Sequence, residues 1–130
     1  MDDNALVSAA AAARANAYAP YSRFPVGAAL LARSGSVYRG VNVENASYGV
    51  TVCAERAALF AAVTAGELEF DAIAIVADTD GPVRPCGLCR QALSEFGGAL
   101  RVIMSDLAGR VDVQTLDVLL PDSFRFKSPG

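Results

Sequence analysis

An α/β fold, built on one mixed five-stranded sheet with helices on both faces, is the architecture this chain predicts. Three observations point to it. Two apolar runs, 26–32 and 37–43, flank Ser34-Gly35-Ser36 and read as an antiparallel hairpin. Two later passages run strand, helix, strand, which implies parallel pairing. The 130 residues, 53% of them apolar, suit one domain spanning 1–130 with a substantial core.

Residues 4–18 read as the first helix. Asp3 or Asn4 caps it, and Leu6, Val7, Ala10, Ala13, Ala17 and Tyr18 form its apolar stripe. Pro20 ends it. Tyr21 to Pro25 is a loop into the first strand, 26–32, where Gly27 signals a close approach to the backbone. The second strand is 37–43, and 45–51 is a loop. A helix over 53–64 stops at Gly66, in a C-cap position. Ile73, Ile75 and Val76 mark a strand over 71–77. Another helix, 86–96, halts at Gly97-Gly98; strands at 101–104 and 111–113 follow, then a short helix at 115–120 before Pro121.

Composition narrows the function. Charged residues are only 19%, so surplus apolar surface points to an oligomer. A net charge of −3, a pI near 4.8 and the absence of Lys/Arg runs argue against a nucleic-acid partner and for a small neutral substrate. Neither a secretory signal nor a membrane-length apolar stretch is expected, which suits a cytoplasmic protein.

The chemistry concentrates in Cys53-Ala54-Glu55-Arg56 and Pro85-Cys86-Gly87-Leu88-Cys89. These hold all three cysteines, and the chain has no histidine. Cys86 and Cys89, three apart at a helix start, share a face, and Pro85 fits the start of a helix. Orphaned amides and the helix dipole favour thiolate there, and Cys53 opens the other helix. Catalytic zinc takes three protein ligands and leaves a position open, so three thiols beside Glu55 read as zinc, activated water and a proton shuttle. Glu55, two residues from Cys53, fits only if the site sits over the helix tip. The alternatives are inert buried thiols, a closed site with Glu55 as fourth ligand, and a C-x-x-C redox pair. Iron or another thiophilic metal is also compatible with the ligands.

Cys53-Ala-Glu-Arg together with Pro85-Cys-Gly-Leu-Cys-Arg-Gln resembles the short-chain, homotetrameric cytidine deaminase family. So do the segments starting at Tyr21 and Val41, and Leu119-Leu-Pro-Asp-Ser-Phe. The resemblance covers nearly the whole chain. It implies a three-layer α/β/α cytidine-deaminase-like fold, one Zn2+ per subunit on Cys53, Cys86 and Cys89, and Glu55 as proton carrier. The implied reaction converts cytidine and 2′-deoxycytidine to uridine and 2′-deoxyuridine with release of ammonia, in pyrimidine salvage. The resemblance assigns the base to Phe24 and the backbone of Ala54, and the ribose to Asn42 and Glu44. Ala46, Tyr48 and Phe124 come from neighbouring subunits of the homotetramer. Three thiolates leave the site net negative, and Arg56 beside the sulfurs would offset that charge. The rivals are a blasticidin S deaminase with the same zinc motifs and a non-catalytic zinc-binding scaffold, which has no need of Glu55.

Overall fold

The computed structural model describes residues 1–126; residues 127–130 of the expected 1–130 unit lie outside that description. Helix α1 (Asp3–Arg14) is capped by Asp2, whose carboxylate accepts the Ala5 amide at 2.8 Å. The cap thus sits earlier than Asp3 or Asn4, and the helix ends at Arg14 rather than Tyr18. Tertiary pairing ends it. The Tyr18 amide donates to the Asn42 carbonyl at 3.0 Å and the Glu44 amide to the Tyr18 carbonyl at 2.9 Å, which draws 17–19 out alongside the chain leaving β2. Tyr18 is exposed, while Leu6, Ala9, Ala10 and Ala13 form the buried stripe.

The hairpin is β1 (Val26–Ala32) and β2 (Val37–Val41), turning through Gly35 at φ +96°. β2 stops two residues earlier than expected, because Val43 leaves the hairpin ladder for isolated bridges to Tyr18 and Val52. Then come α2 (Ala54–Thr64), β3 (Phe70–Ala77), α3 (Gly87–Ser94), β4 (Arg101–Ser105), β5 (Val111–Thr115) and α4 (Leu116–Leu119). α3 ends before Phe96 because the chain tightens into a turn at Glu95 and enters Gly97 at φ +123°.

The sheet order is β2-β1-β3-β4-β5, and β3–β4 is its parallel pair. The expectation of two parallel pairings needs correcting here. The passage through α2 does join strands that run the same way, but β1 lies between β2 and β3 and pairs antiparallel with both. Alternation along the strands splits the core into two layers. Leu30, Ile73, Ile75, Val102 and Met104 face α2, α3 and α4, and Ala29, Ala74, Val76 and Ile103 face α1. The result is the expected three-layer α/β/α arrangement around a mixed five-stranded sheet.

Two glycines let helices lie directly on the hairpin. A Cβ on Gly27 would stand 2.0 Å from the Ala10 carbonyl oxygen of α1. One on Gly40 would stand 2.4 Å from the Ala54 carbonyl oxygen and 2.4 Å from the Ala58 amide nitrogen of α2. Alanine faces on both helices and bare glycine beneath them are the two halves of one close-packed contact.

At the β4–β5 turn the buried Asp106 carboxylate accepts the Ala108 and Arg110 amides, both at 2.9 Å, and pairs with the Arg110 guanidinium. Burial pushes this carboxyl up, but the Arg110 amide and guanidinium and the Ala108 amide together hold it below the usual aspartate range. Its contribution to stability is therefore complete above the unfolded value of about 3.9 and is lost as pH falls through the lower folded value. Asp106→Asn is expected to lower the melting temperature at neutral pH, with the gap from wild type narrowing toward about pH 3. Thermal melts of both proteins across that range check this; a gap independent of pH would refute it.

Candidate metal centre and cleft

Topology brings the thiols together. β2 and β3 run in the same direction on either side of β1, so the chain leaves both at the same end of the strands and enters α2 and α3 there. Cys53 is the N-cap of α2, and Cys86 is the N-cap of α3. Both helices pack on one face of the sheet, so their N-termini, with their unpaired amides, converge. Cys53 Sγ and Cys86 Sγ, 33 residues apart in sequence, lie 3.7 Å apart; Cys86 Sγ and Cys89 Sγ lie 3.3 Å apart. All three sulfurs fall within 4.8 Å of one another. Sulfurs at ~2.3 Å from a tetrahedral ion stand ~3.8 Å apart, so this donor set fits one zinc ion.

Burial grades across the trio. Cys89 is fully buried, Cys53 is half-buried and Cys86 is exposed toward the cleft. The Cys89 amide also donates to Cys86 Sγ at 3.4 Å, so the start of α3 holds its own thiol in place. A hydrogen bond from Cys89, together with Arg56, brings the Cys53 thiol down to about 5. Cys89 is pushed up because it donates that bond and because it is buried. Arg56 does not point away from the site: its Nη2 donates to Cys53 Sγ at 3.6 Å, and its Nε is buried without a protein partner. The positive charge expected beside the sulfurs is there.

Glu55 meets the geometric condition set by its spacing. The cleft forms over the tip of α2, and Glu55 lines it with Cys53, Ala54 and Cys86 while only 4% exposed. Burial raises the Glu55 carboxyl above its usual range, and the negative charge of Cys53 adds to the effect. A carboxyl set this way holds a proton more readily than an exposed glutamate does.

The same cleft, about 240 Å³, is lined by Phe24, Asn42 and Glu44. Asn42 and Glu44 lie just beyond β2, in the extended stretch where Val43 turns to the other side, and both face the cleft. Each also holds the loop ahead of β1. The Asn42 carboxamide accepts the Val26 amide and donates to the Phe24 carbonyl, both at 2.9 Å. The Glu44 carboxylate accepts the Tyr21 and Ser22 amides at 2.9 and 3.0 Å and also the Ser22 hydroxyl. The hydrogen bonds from Ser22 and Tyr21 hold the Glu44 carboxyl below its usual range.

The structure does not bring Ala46, Tyr48 and Phe124 into this cleft. All three are exposed, Tyr48 at 76% and Phe124 at 68%. Tyr48 instead borders an adjacent hollow that shares Ser22, Glu44 and Thr51 with the cleft. Sequence reading missed Ser22, Thr51, Val83 and Arg84 as cleft residues. The proximity of Arg84 to Pro85 and the place of Ser22 in the segment starting at Tyr21 were usable signals; Thr51 and Val83 carry none without the fold.

Three thiols and a buried carboxylate at two converging helix starts, on one face of a mixed sheet, form a candidate centre for metal-assisted hydrolysis. Residues 1–105 match the family model described as the cytidine and deoxycytidylate deaminase zinc-binding region, and the chain belongs to that family. It is 50% identical over 125 residues to a cytidine deaminase of Sporosarcina psychrophila, covering 95% of this chain and 92% of the relative. The crystal structure of cytidine deaminase from Burkholderia pseudomallei superposes with a TM-score of 0.93 at 53% identity, covering 95% of this chain and 100% of that one. A blasticidin-S deaminase of Bacillus cereus is more distant, at 33% identity over 104 residues and 74% of each chain. Among the described residues, no helix is long and apolar enough to cross a membrane.

Proposed function

We propose that this chain is a zinc-dependent hydrolase that deaminates cytidine and 2′-deoxycytidine to uridine and 2′-deoxyuridine, releasing ammonia. The observation that carries the reading is the placement of Glu55 in one cleft with Cys53 and Cys86, over converging helix starts. Cys53, Cys86 and Cys89 would hold the zinc, which when bound would supply Lewis-acid activation of a water molecule. Glu55 takes the proton from the attacking water and delivers it to N3, making C4 electrophilic. The water oxygen bonds to C4; Glu55 then carries the new hydroxyl's proton to the amine, which leaves as ammonia as the C4–N bond breaks and the C4 carbonyl forms. Burial of Glu55, with the negative charge of Cys53 beside it, raises its proton affinity, which suits it to take the first proton.

Phe24 packs against the base, and the backbone of Ala54 at the α2 start binds its edge. Asn42 and Glu44 keep donor and acceptor capacity beyond their loop contacts, which suits the hydroxyls of the ribose. The cleft is open in the single chain. Its closure by Ala46, Tyr48 and Phe124 of neighbours in a homotetramer agrees with the exposure of those residues. The chain works as one unit in the cytoplasm, in pyrimidine salvage.

The test is the ultraviolet absorbance of cytidine incubated with zinc-loaded protein. Loss of the cytidine band, suppressed by a chelator and restored by zinc, supports the reading. No change with cytidine, but turnover of blasticidin S, replaces the substrate. No change with either leaves a zinc scaffold.

Arg56 has its own test. Arg56→Ala removes the cation beside Cys53 and leaves the negative charge of the thiolates without it. The acidic limb of the pH–rate profile should move up by roughly one pH unit, worth about 1.4 kcal/mol, and turnover near neutral pH should fall. An unmoved limb in a fully metal-loaded variant would refute this role.

A further inference from the structure

The geometry points to Arg90 as a positioning residue that fixes the turn carrying Cys86 and ties it to the C-terminal segment. Its guanidinium donates through Nε to the Pro85 carbonyl at 2.9 Å and through Nη1 to the Leu119 carbonyl at 2.7 Å. Pro85 is buried and immediately precedes Cys86, so its carbonyl oxygen needs a partner, and a charged donor satisfies it strongly. Leu119 is the last residue of α4, where a carbonyl has no intrahelical partner. One planar fork meets both needs at once. A lysine has no second fixed donor with which to do so.

The neighbouring residue adds a second grip. Gln91 Nε2 donates to the Phe124 carbonyl at 3.1 Å. Through Arg90 and Gln91, α3 therefore holds the thiol-bearing turn on one side and the stretch from Leu119 to Phe124 on the other. Any ligand that fixes Cys86 and Cys89 then also steadies the C-terminal segment, and loosening the strut loosens the thiols. This rests on the metal-centre reading above. Residues that hold a ligand turn in place are worth roughly 10–100-fold in metal affinity.

The experiment titrates cobalt(II) into the metal-free full chain, following the thiolate-to-cobalt absorption, and measures zinc affinity by chelator competition. Wild type is compared with Arg90→Gln, Arg90→Lys and Arg101→Gln. Arg101 pairs with Asp3 of α1 on the opposite face and controls for general loss of stability. The expected result is a loss of zinc affinity of roughly 10–100-fold in both Arg90 variants, with Arg101→Gln unchanged. In parallel, zinc should slow amide exchange over residues 116–126 in wild type and not in Arg90→Gln. Unchanged affinity in Arg90→Gln, rescue by Arg90→Lys, or an equal loss in Arg101→Gln would each overturn the inference. If the wild type binds neither metal, the metal-centre reading itself fails and takes this one with it.

Discussion

Glu55→Gln is expected to fold, to bind zinc and to lose cytidine turnover by roughly 10²–10⁴-fold, the range that a positioned proton carrier supplies. The amide keeps the shape and volume of the carboxyl at a site only 4% exposed, so packing at the start of α2 is retained. It cannot accept the proton from water or hand it to N3. Glu55 is raised by burial first and by the charge on Cys53 second, and both effects disappear with the neutral amide, so the substitution imposes no new electrostatic cost on the fold. Metal content and turnover measured on the same sample decide it. Full zinc with turnover within a few-fold of wild type would remove Glu55 from the reaction.

The second large effect is on stability, and it reaches the site through the backbone. Gly40→Ala places a methyl 2.4 Å from both the Ala54 carbonyl oxygen and the Ala58 amide nitrogen. Those atoms belong to the α2 backbone, so no side chain can swing aside, and the helix has to lift off β2. Overpacking of this kind costs about 1–3 kcal/mol, a drop in melting temperature of roughly 5–10 °C for a domain of this size. Because α2 carries Cys53 at its cap and Glu55 in its first turn, lifting it also moves one thiol and the carboxylate away from Cys86. Thermal melts and zinc content should therefore fall together. Gly49, where an added methyl would meet nothing within 4 Å and φ is ordinary, is the control: Gly49→Ala should leave the melting temperature unchanged. An unaltered melt for Gly40→Ala would show that α2 tolerates the shift.

Most elements were legible because local rules and tertiary packing agreed. β1 was read to its ends, since an unbroken apolar run fits a strand buried on both faces. Gly27 flagged a close approach, and α1 supplies it. Misreadings came where a long-range partner overrode the local signal. Nothing in Ala17-Tyr18 says that the chain after β2 will pair with it and end α1 early. Likewise, Val43 continues the strand pattern in sequence and leaves the ladder in space. Pairing with distant backbone is invisible to a pattern that looks only at neighbours.

The sequence alone determined the donor set. Three cysteines, no histidine, a glutamate two residues past Cys53 and two helix starts were all readable from spacing. Cys86 and Cys89 meet through one helical turn, a local geometry. Whether Cys53 would join them was decided by the fold. β2 and β3 run the same way around an antiparallel β1, so the two helix starts emerge at one end of the strands and on one face. The hold of Asn42 and Glu44 on the loop before β1, the turn of Arg56 toward Cys53 and the span of Arg90 from Pro85 to Leu119 were likewise settled by packing. Each depends on where backbone distant in sequence comes to rest.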